Sequence, residues 1–139
     1  MVRTNDIIDF IINYTSVEEV KADSDIYADL DLVGDDFHDF IDKFALKYKV
    51  DMSDYLWYFH GDEEGINSGG ILFRPPYGRV KRIPVTPKML AVFANNGRWE
   101  VYYPEHHIPK KRYDIMFNQI MAVVLLLSMA ALLVIKYLM

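Results

Sequence analysis

The 139-residue chain contains no cysteine. This absence excludes a disulfide framework, a zinc thiolate site and a cysteine nucleophile, and it is consistent with a reducing compartment. The sequence also lacks a glycine-rich phosphate loop, a nucleophile elbow and a paired-acid signature. We therefore expect a protein that is not an enzyme, with no catalytic residues, no cofactor and no metal.

Two short clusters do supply metal-ligand residue types, His60–Glu64 and Glu105–His107. Adjacent histidines on a loop do not share a helix face, as ligands four residues apart would. The second cluster lies beside three basic residues and is interpreted as a juxtamembrane surface. A small enzyme of unknown reaction remains an alternative.

Basic residues are scarce in the first half of the chain. Residues 1–73 contain 17 Asp and Glu against 5 Lys and Arg, whereas residues 74–139 contain 3 against 10. Such a split is typical of surfaces that meet something charged, or of two halves of a fold that face each other and cancel. The acidic half argues against nucleic acid as a partner, and the basic stretch suits anionic lipid.

Charge is missing altogether from Ile115 to Ile135, where only Asn118, Gln119 and Ser128 are polar. A helix of 21 residues is about 31 Å long, which matches a hydrocarbon core of roughly 30 Å. Its centre is apolar on every face, unlike a soluble helix with a polar stripe. The sequence therefore predicts a transmembrane anchor at residues 113–139 and the lipid bilayer as a partner.

The flanks of this run predict its orientation. Lys110, Lys111 and Arg112 precede the run, and only Lys136 follows it. Because positive residues remain on the cytoplasmic side, we expect the N-terminal domain to face the cytoplasm. The expected arrangement is single-pass and tail-anchored, in the inner (cytoplasmic) membrane of a bacterium.

Residues 1–112 are predicted to form a soluble domain. Its parts are a helical bundle at 1–60, a short β-hairpin or stiff loop at 61–85, a helix at 86–97 and a juxtamembrane segment at 98–112. Thr4 or Asn5 is expected to cap the first helix, and Ser53 a short third one. The second helix has the clearest signal, an apolar stripe at helical spacing: Phe37, Phe40, Ile41, Phe44 and Tyr48.

The stretch Asp29–Met52, DLDLVGDDFHDFIDKFALKYKVDM, resembles the "DLGxDSLD" motif and second helix of acyl carrier proteins. Asp29 and Leu30 match the opening pair, and Asp36 matches the aspartate of the motif. The resemblance implies a mainly α, acyl-carrier-like small helical bundle that partners recognise through its second helix. The carrier serine falls on Gly34, which has no hydroxyl to hold a phosphopantetheine arm.

The whole layout, including "RPPYGRVKRIPVTPKML" and "NNGRW", resembles a family of uncharacterised enterobacterial proteins with a carrier-like bundle. Together these patterns predict a membrane-tethered, non-catalytic module that docks a protein partner through its acidic second helix. The alternative carrier reading places the modification on Ser24 or Ser53. The predicted partner-binding residues are Asp35, Asp36, His38, Asp39 and Asp42, and the membrane-flanking basic residues are Lys110, Lys111 and Arg112.

Overall fold

A computed structural model describes residues 1–138 of the chain and confirms a mainly helical fold. The helices are α1 (Thr4–Thr15), α2 (Gly34–Tyr48), α3 (Pro87–Asn96) and α4 (Tyr113–Leu138). Three short 3₁₀ turns lie at Trp57–Phe59, Ser68–Ile71 and Pro76–Gly78. The described residues contain no β-strand, so the stretch predicted as a hairpin or stiff loop is a loop.

The chain divides into two compact units. The first unit comprises Met1–Glu64 and Val80–His106, and the second comprises Gly65–Arg79 and the chain from His107 onward. The first unit therefore contains α1, α2 and α3, and the second contains α4 with two of the 3₁₀ turns.

The core of the first unit is built where the apolar faces of its helices meet. On α2, the side chains of Phe37, Phe40, Ile41 and Phe44 are fully buried. The ring of Phe40 lies 5.5 Å from that of Phe10 and 5.4 Å from that of Tyr14, so α1 packs directly on α2. This packing fixes which face of α2 turns away from the core.

Capping residues set the helix ends. The Thr86 hydroxyl accepts a hydrogen bond from the Met89 N–H, and Gly97 ends α3 with a left-handed φ of 69°. At the start of α1 the expected Thr4 or Asn5 cap is absent. Instead, the Asp6 carboxylate accepts the backbone N–H of Arg3 at 2.8 Å, because Arg3 occupies the capping position.

The short helix expected after Ser53 is replaced by the single 3₁₀ turn Trp57–Phe59. The Ser53 N–H bonds the Asp51 carboxylate, which makes a local turn rather than a helix cap. The backbone of Leu56 is extended, and its N–H donates to the Tyr103 hydroxyl. Long-range bonding therefore prevents a helix here.

The Tyr103 hydroxyl is a hub for three hydrogen bonds. It accepts the Leu56 N–H at 3.2 Å and the Trp99 Nε1–H at 2.9 Å, and it lies 2.8 Å from His60 Nε2. His60 Nδ1 lies 3.0 Å from the Ile83 carbonyl, which can only accept. His60 is therefore the neutral Nδ1–H tautomer, and its Nε2 accepts the tyrosine proton.

The second unit holds the first turns of α4 against the loop that carries the Ser68–Ile71 turn. Asp114 is 2% exposed and is paired with Arg112 at 2.6 Å. The Asn67 side-chain amide donates to Asp114 Oδ2 at 2.9 Å, and the Gly69 N–H donates to Asn118 Oδ1 at 2.7 Å. Asn118, one of the three polar residues of the uncharged run, is therefore satisfied by bonds within the chain.

Helix α4 is long and apolar enough to cross a membrane. Its mean hydropathy reaches 2.4 over an 18-residue window, and none of that window is buried. A core helix of a soluble protein would bury such a surface. The length and composition of the predicted anchor are thus confirmed.

We expect the first unit to lose stability as the pH falls from 6.5 to 4. Burial lowers the pKa of His60 from 6.5 to about 4. Between these pH values the imidazole is protonated in the unfolded chain and neutral in the folded chain. Stability from this group is complete above pH 6.5 and is lost towards pH 4, by at most about 3 kcal/mol. Denaturant unfolding of the full chain in detergent, followed by tryptophan fluorescence, measures this loss.

The matched variants are His60→Gln and His107→Gln, since His107 is exposed. The first should lower stability at pH 7 and flatten the pH dependence, whereas the second should behave as wild type. Equal slopes for wild type and His60→Gln between pH 4 and 6.5 would contradict the assignment.

Candidate functional site

The face of α2 opposite the core is acidic. Asp35, Asp36, Asp39 and Asp42 are exposed, and none of them forms an ion pair or a side-chain hydrogen bond within the first unit. The structure therefore brings all four predicted carboxylates onto one solvent-facing surface. We call these four residues the acidic face.

Leu46 lies on this surface and was missed by the sequence interpretation. It is 82% exposed, whereas Phe44 two residues earlier is fully buried. Asp35, Asp39, Asp42 and Leu46 follow one another at spacings of four, three and four, which places them in one row. Placing Leu46 on the helix opposite the phenylalanines would have revealed it, because an apolar side chain interrupts an otherwise polar row.

His38, the fifth predicted residue, lies at the edge of the acidic face. Its Nε2–H donates to the Asp62 carbonyl at 2.8 Å, and its ring meets Trp57 edge-on at 5.7 Å. His38 is thus half-buried and anchors the 60–64 segment beside α2. It shapes the acidic face without standing free on it.

A shallow groove runs beside the acidic face. Its lining residues are Asp35, His38, Asp42, Tyr55, Trp57 and Glu63. The Tyr55 hydroxyl is buried and has no hydrogen-bond partner among residues 1–138. Burial raises the pKa of Tyr55, and the nearby Tyr103 and Asp42 add to the shift, so its phenol stays protonated. The groove therefore offers aromatic carbon edged by carboxylates.

The run Tyr55–Phe59, four of whose five residues are aromatic, follows α2 along the chain. Only Phe59 is fully buried, and the other four side chains remain partly exposed. The reason is the 3₁₀ turn, which sends successive side chains in three directions and leaves Trp57 against His38.

Arg82, a basic residue of the first unit, has a partner away from the acidic face. Arg82 binds Asp25 through two nitrogens at 2.6 and 3.1 Å. Its guanidinium also lies over the Tyr27 ring at 4.8 Å. Arg82 therefore ties the 80–86 segment to the connection between α1 and α2, and the acidic face keeps its charge.

Gly34, at the carrier-serine position of the resemblance, is required by its backbone. Its φ is +55°, a conformation that side chains disfavour, and an added Cβ would overlap the Glu64 side chain. Its N–H donates to the Asp62 carboxylate at 3.1 Å, an anion at the helix N-terminus. The Glu64 side chain thus lies in the space that a side chain at position 34 would enter.

The other candidate residues do not converge. Ser24 accepts the Lys21 N–H, and Ser53 is exposed after α2. His60 belongs to the Tyr103 hub, and His106 Nε2 lies 2.9 Å from the Tyr58 hydroxyl. Within residues 1–138, no three His, Asp or Glu side chains are grouped as a metal site.

The membrane-flanking basic residues fall into two kinds. Lys110 and Lys111 are exposed, and Arg112 is partly buried in its pair with Asp114. Only the two lysines present their full charge to the surroundings.

A comparison with known families gives one match. The family model described as "Protein of unknown function (DUF1493)" matches residues 3–103. No curated protein and no solved structure matches the chain. The matched residues include α1, α2, α3 and Tyr103, and α4 lies beyond them.

We expect no phosphopantetheine on this chain, because Gly34 has no hydroxyl and Glu64 lies over it. Intact mass should be unchanged after incubation with coenzyme A and a broad-specificity phosphopantetheinyl transferase. A genuine acyl carrier protein in the same tube is the positive control. A gain of one arm would contradict this expectation, and Ser24→Ala and Ser53→Ala would then locate the attachment.

Proposed function

We propose that this chain, which belongs to the DUF1493 family, is a membrane-tethered, non-catalytic docking module. In this proposal α4 spans the bilayer and the acidic face of α2 binds a basic surface on a protein partner. The proposal includes an acyl-carrier-like mode of recognition, through the second helix, without the carrier chemistry.

The observation that carries the proposal is the row Asp35, Asp39, Asp42 and Leu46. Three unpaired carboxylates and one exposed leucine share a single side of a helix whose other side is the core. Complementary charge speeds encounter and selects the partner, whereas a buried apolar anchor supplies binding free energy. Solvation of this face does not require the exposed leucine at the C-terminal end of the row.

The same face argues for a partner outside the first unit. Arg82, a basic residue of the first unit, is paired with Asp25. Lys43 and Lys47 of α2 itself lie over the rings of Tyr14 and Phe10. The carboxylates therefore remain available to external cations.

We assign the membrane to the bacterial inner membrane, with the first unit in the cytoplasm. Lys110 and Lys111 are exposed before α4, and only Lys136 follows within its last turn. Positive flanks favour the cytoplasmic side. The enterobacterial resemblance of the sequence supports the same location.

Two other functions have less support in the structure. A carrier modified on another serine would need Ser24 or Ser53, neither of which lies at the head of α2. A small enzyme would need a group of reactive side chains. His38 and His60 instead form hydrogen bonds that hold neighbouring segments together. The acidic face supports docking better than either.

We predict that the full chain fractionates with membranes and resists carbonate extraction, because the uncharged run of α4 matches the hydrocarbon core in length. A version ending at Arg112 should be soluble, with the tryptophan fluorescence of a folded first unit. Recovery of the full chain as a soluble monomer without detergent would overturn the membrane assignment.

We predict that Asp36→Lys with Asp39→Lys abolishes partner capture and changes the free energy of unfolding by less than about 1 kcal/mol. The small stability effect follows because exposed charges without partners contribute little to folding. A photocrosslinking residue at position 46, in membranes of the producing cell, reports capture. Wild type should give a defined adduct that weakens as salt screens the charges.

The matched control is Asp9→Lys with Glu18→Lys, which makes the same change in net charge at exposed sites outside α2. A crosslinker at Val92, on the exposed side of α3, controls for contact in general. Docking would be refuted by adducts of equal yield at both positions, or by an adduct that survives the α2 reversal. Unfolding of the α2 double variant would show that the face is a structural element.

A further inference from the structure

The loop of the second unit carries exposed apolar side chains that packing within the chain does not explain. Ile66 is 96% exposed, Ile71 85% and Leu72 65%. Phe73, also exposed, lies 6.0 Å from the Tyr113 ring and 6.3 Å from the Phe117 ring. Four of the eight residues at positions 66–73 are thus large, apolar and exposed, and the surfaces of soluble proteins avoid such clusters.

This loop is held at a defined level of α4. The Gly69 N–H donates to Asn118, and the Asn118 amide donates to Asn67 Oδ1 at 2.9 Å. Asn118 is three residues past Ile115, the start of the uncharged run, or about 4.5 Å along the helix axis. The loop is therefore bonded to residues that already belong to the apolar run.

The polar atoms at this level satisfy one another. Asn67 bonds Asp114, Asn118 and the Gly70 N–H, while Asp114 is paired with Arg112. Backbone and side-chain polar groups must be paired before they enter an apolar medium, because no water is there to replace their bonds. The arrangement points polar groups inward and leaves apolar side chains outside.

Basic residues flank the apolar tip. Arg74, Arg79 and Lys111 line a small depression together with Phe73 and Tyr113. Cations at this position attract the phosphates of an anionic membrane surface. Apolar residues beside cations and aromatic rings are typical of segments that lie in the interface.

We infer that the loop 66–73 is a second membrane element, which enters the interfacial layer of an anionic bilayer beside the first turns of α4. It contacts lipid through Ile66, Ile71, Leu72 and Phe73 while Arg74, Arg79 and Lys111 bind headgroup phosphates. This inference rests on the proposed spanning role of α4. The chain then contacts the bilayer through this loop as well as through α4.

The absence of native cysteine allows the test, since every introduced cysteine is unique. Leu72→Cys, Leu126→Cys and Leu46→Cys, each in the full chain, carry an environment-sensitive fluorophore in vesicles of phosphatidylcholine and phosphatidylglycerol. Lipids with a quencher high or deep in the acyl chain then report depth. We expect the label at 72 to be quenched by the shallow probe, at 126 by the deep probe and at 46 by neither.

Failure of the two ideas gives different results. A label at 126 that neither probe quenches would refute the spanning helix. A label at 126 quenched by the deep probe, with 72 as unquenched as 46, would refute loop insertion and leave the span intact.

A structural variant tests the bond between loop and helix. In Gly69→Ala the added Cβ would overlap the backbone carbonyl oxygen of Asp114, so the loop cannot dock. Quenching at 72 should fall to the level of 46, while quenching at 126 persists. Gly78→Ala, whose Cβ makes ordinary contact with Pro75, should leave both unchanged. Undiminished shallow quenching at 72 in Gly69→Ala would overturn the part of the inference that places the loop by docking on α4.

Discussion

The three hydrogen bonds at the Tyr103 hydroxyl hold the first unit in one arrangement. They join Leu56 in the segment after α2, the segment after α3 and the buried His60, and they add to the β-bridge between Asp51 and Arg98. Because His60 is neutral and accepts the tyrosine proton, every donor in the group has one acceptor. The position of Trp57 beside the acidic face depends on this turn. The hydrogen bonds of Tyr103 thus help to position Trp57 beside the acidic face.

The helical elements could be predicted from the sequence because their signals are local. The spacing of the α2 phenylalanines, the Thr86 cap and Gly97 each act within one or two turns. The uncharged run of α4 is local as well. In contrast, the Leu56–Tyr103 and Asn67–Asn118 bonds join residues 47 and 51 positions apart, and no periodic pattern marks them. The missing third helix has the same cause.

The charge of the candidate site could be predicted from the sequence, but the long-range contacts around it could not. Aspartates at helical spacing opposite an apolar stripe predict an exposed acidic face on geometry alone. Whether Arg82 neutralises that face depends on its contact with Asp25, 57 positions away. Leu46 needed only the same helical geometry, but an apolar residue is easily assigned to the core by type.

The left-handed φ of Gly34 has a consequence for how this chain can change over time. A serine there, although a single substitution, would meet a strained backbone and the side chain of Glu64. An arm-bearing hydroxyl at this position would therefore require the exposed Glu64 side chain to turn aside and α2 to begin from a strained backbone. The backbone at the head of α2 thus disfavours the one substitution that would restore a serine at this position.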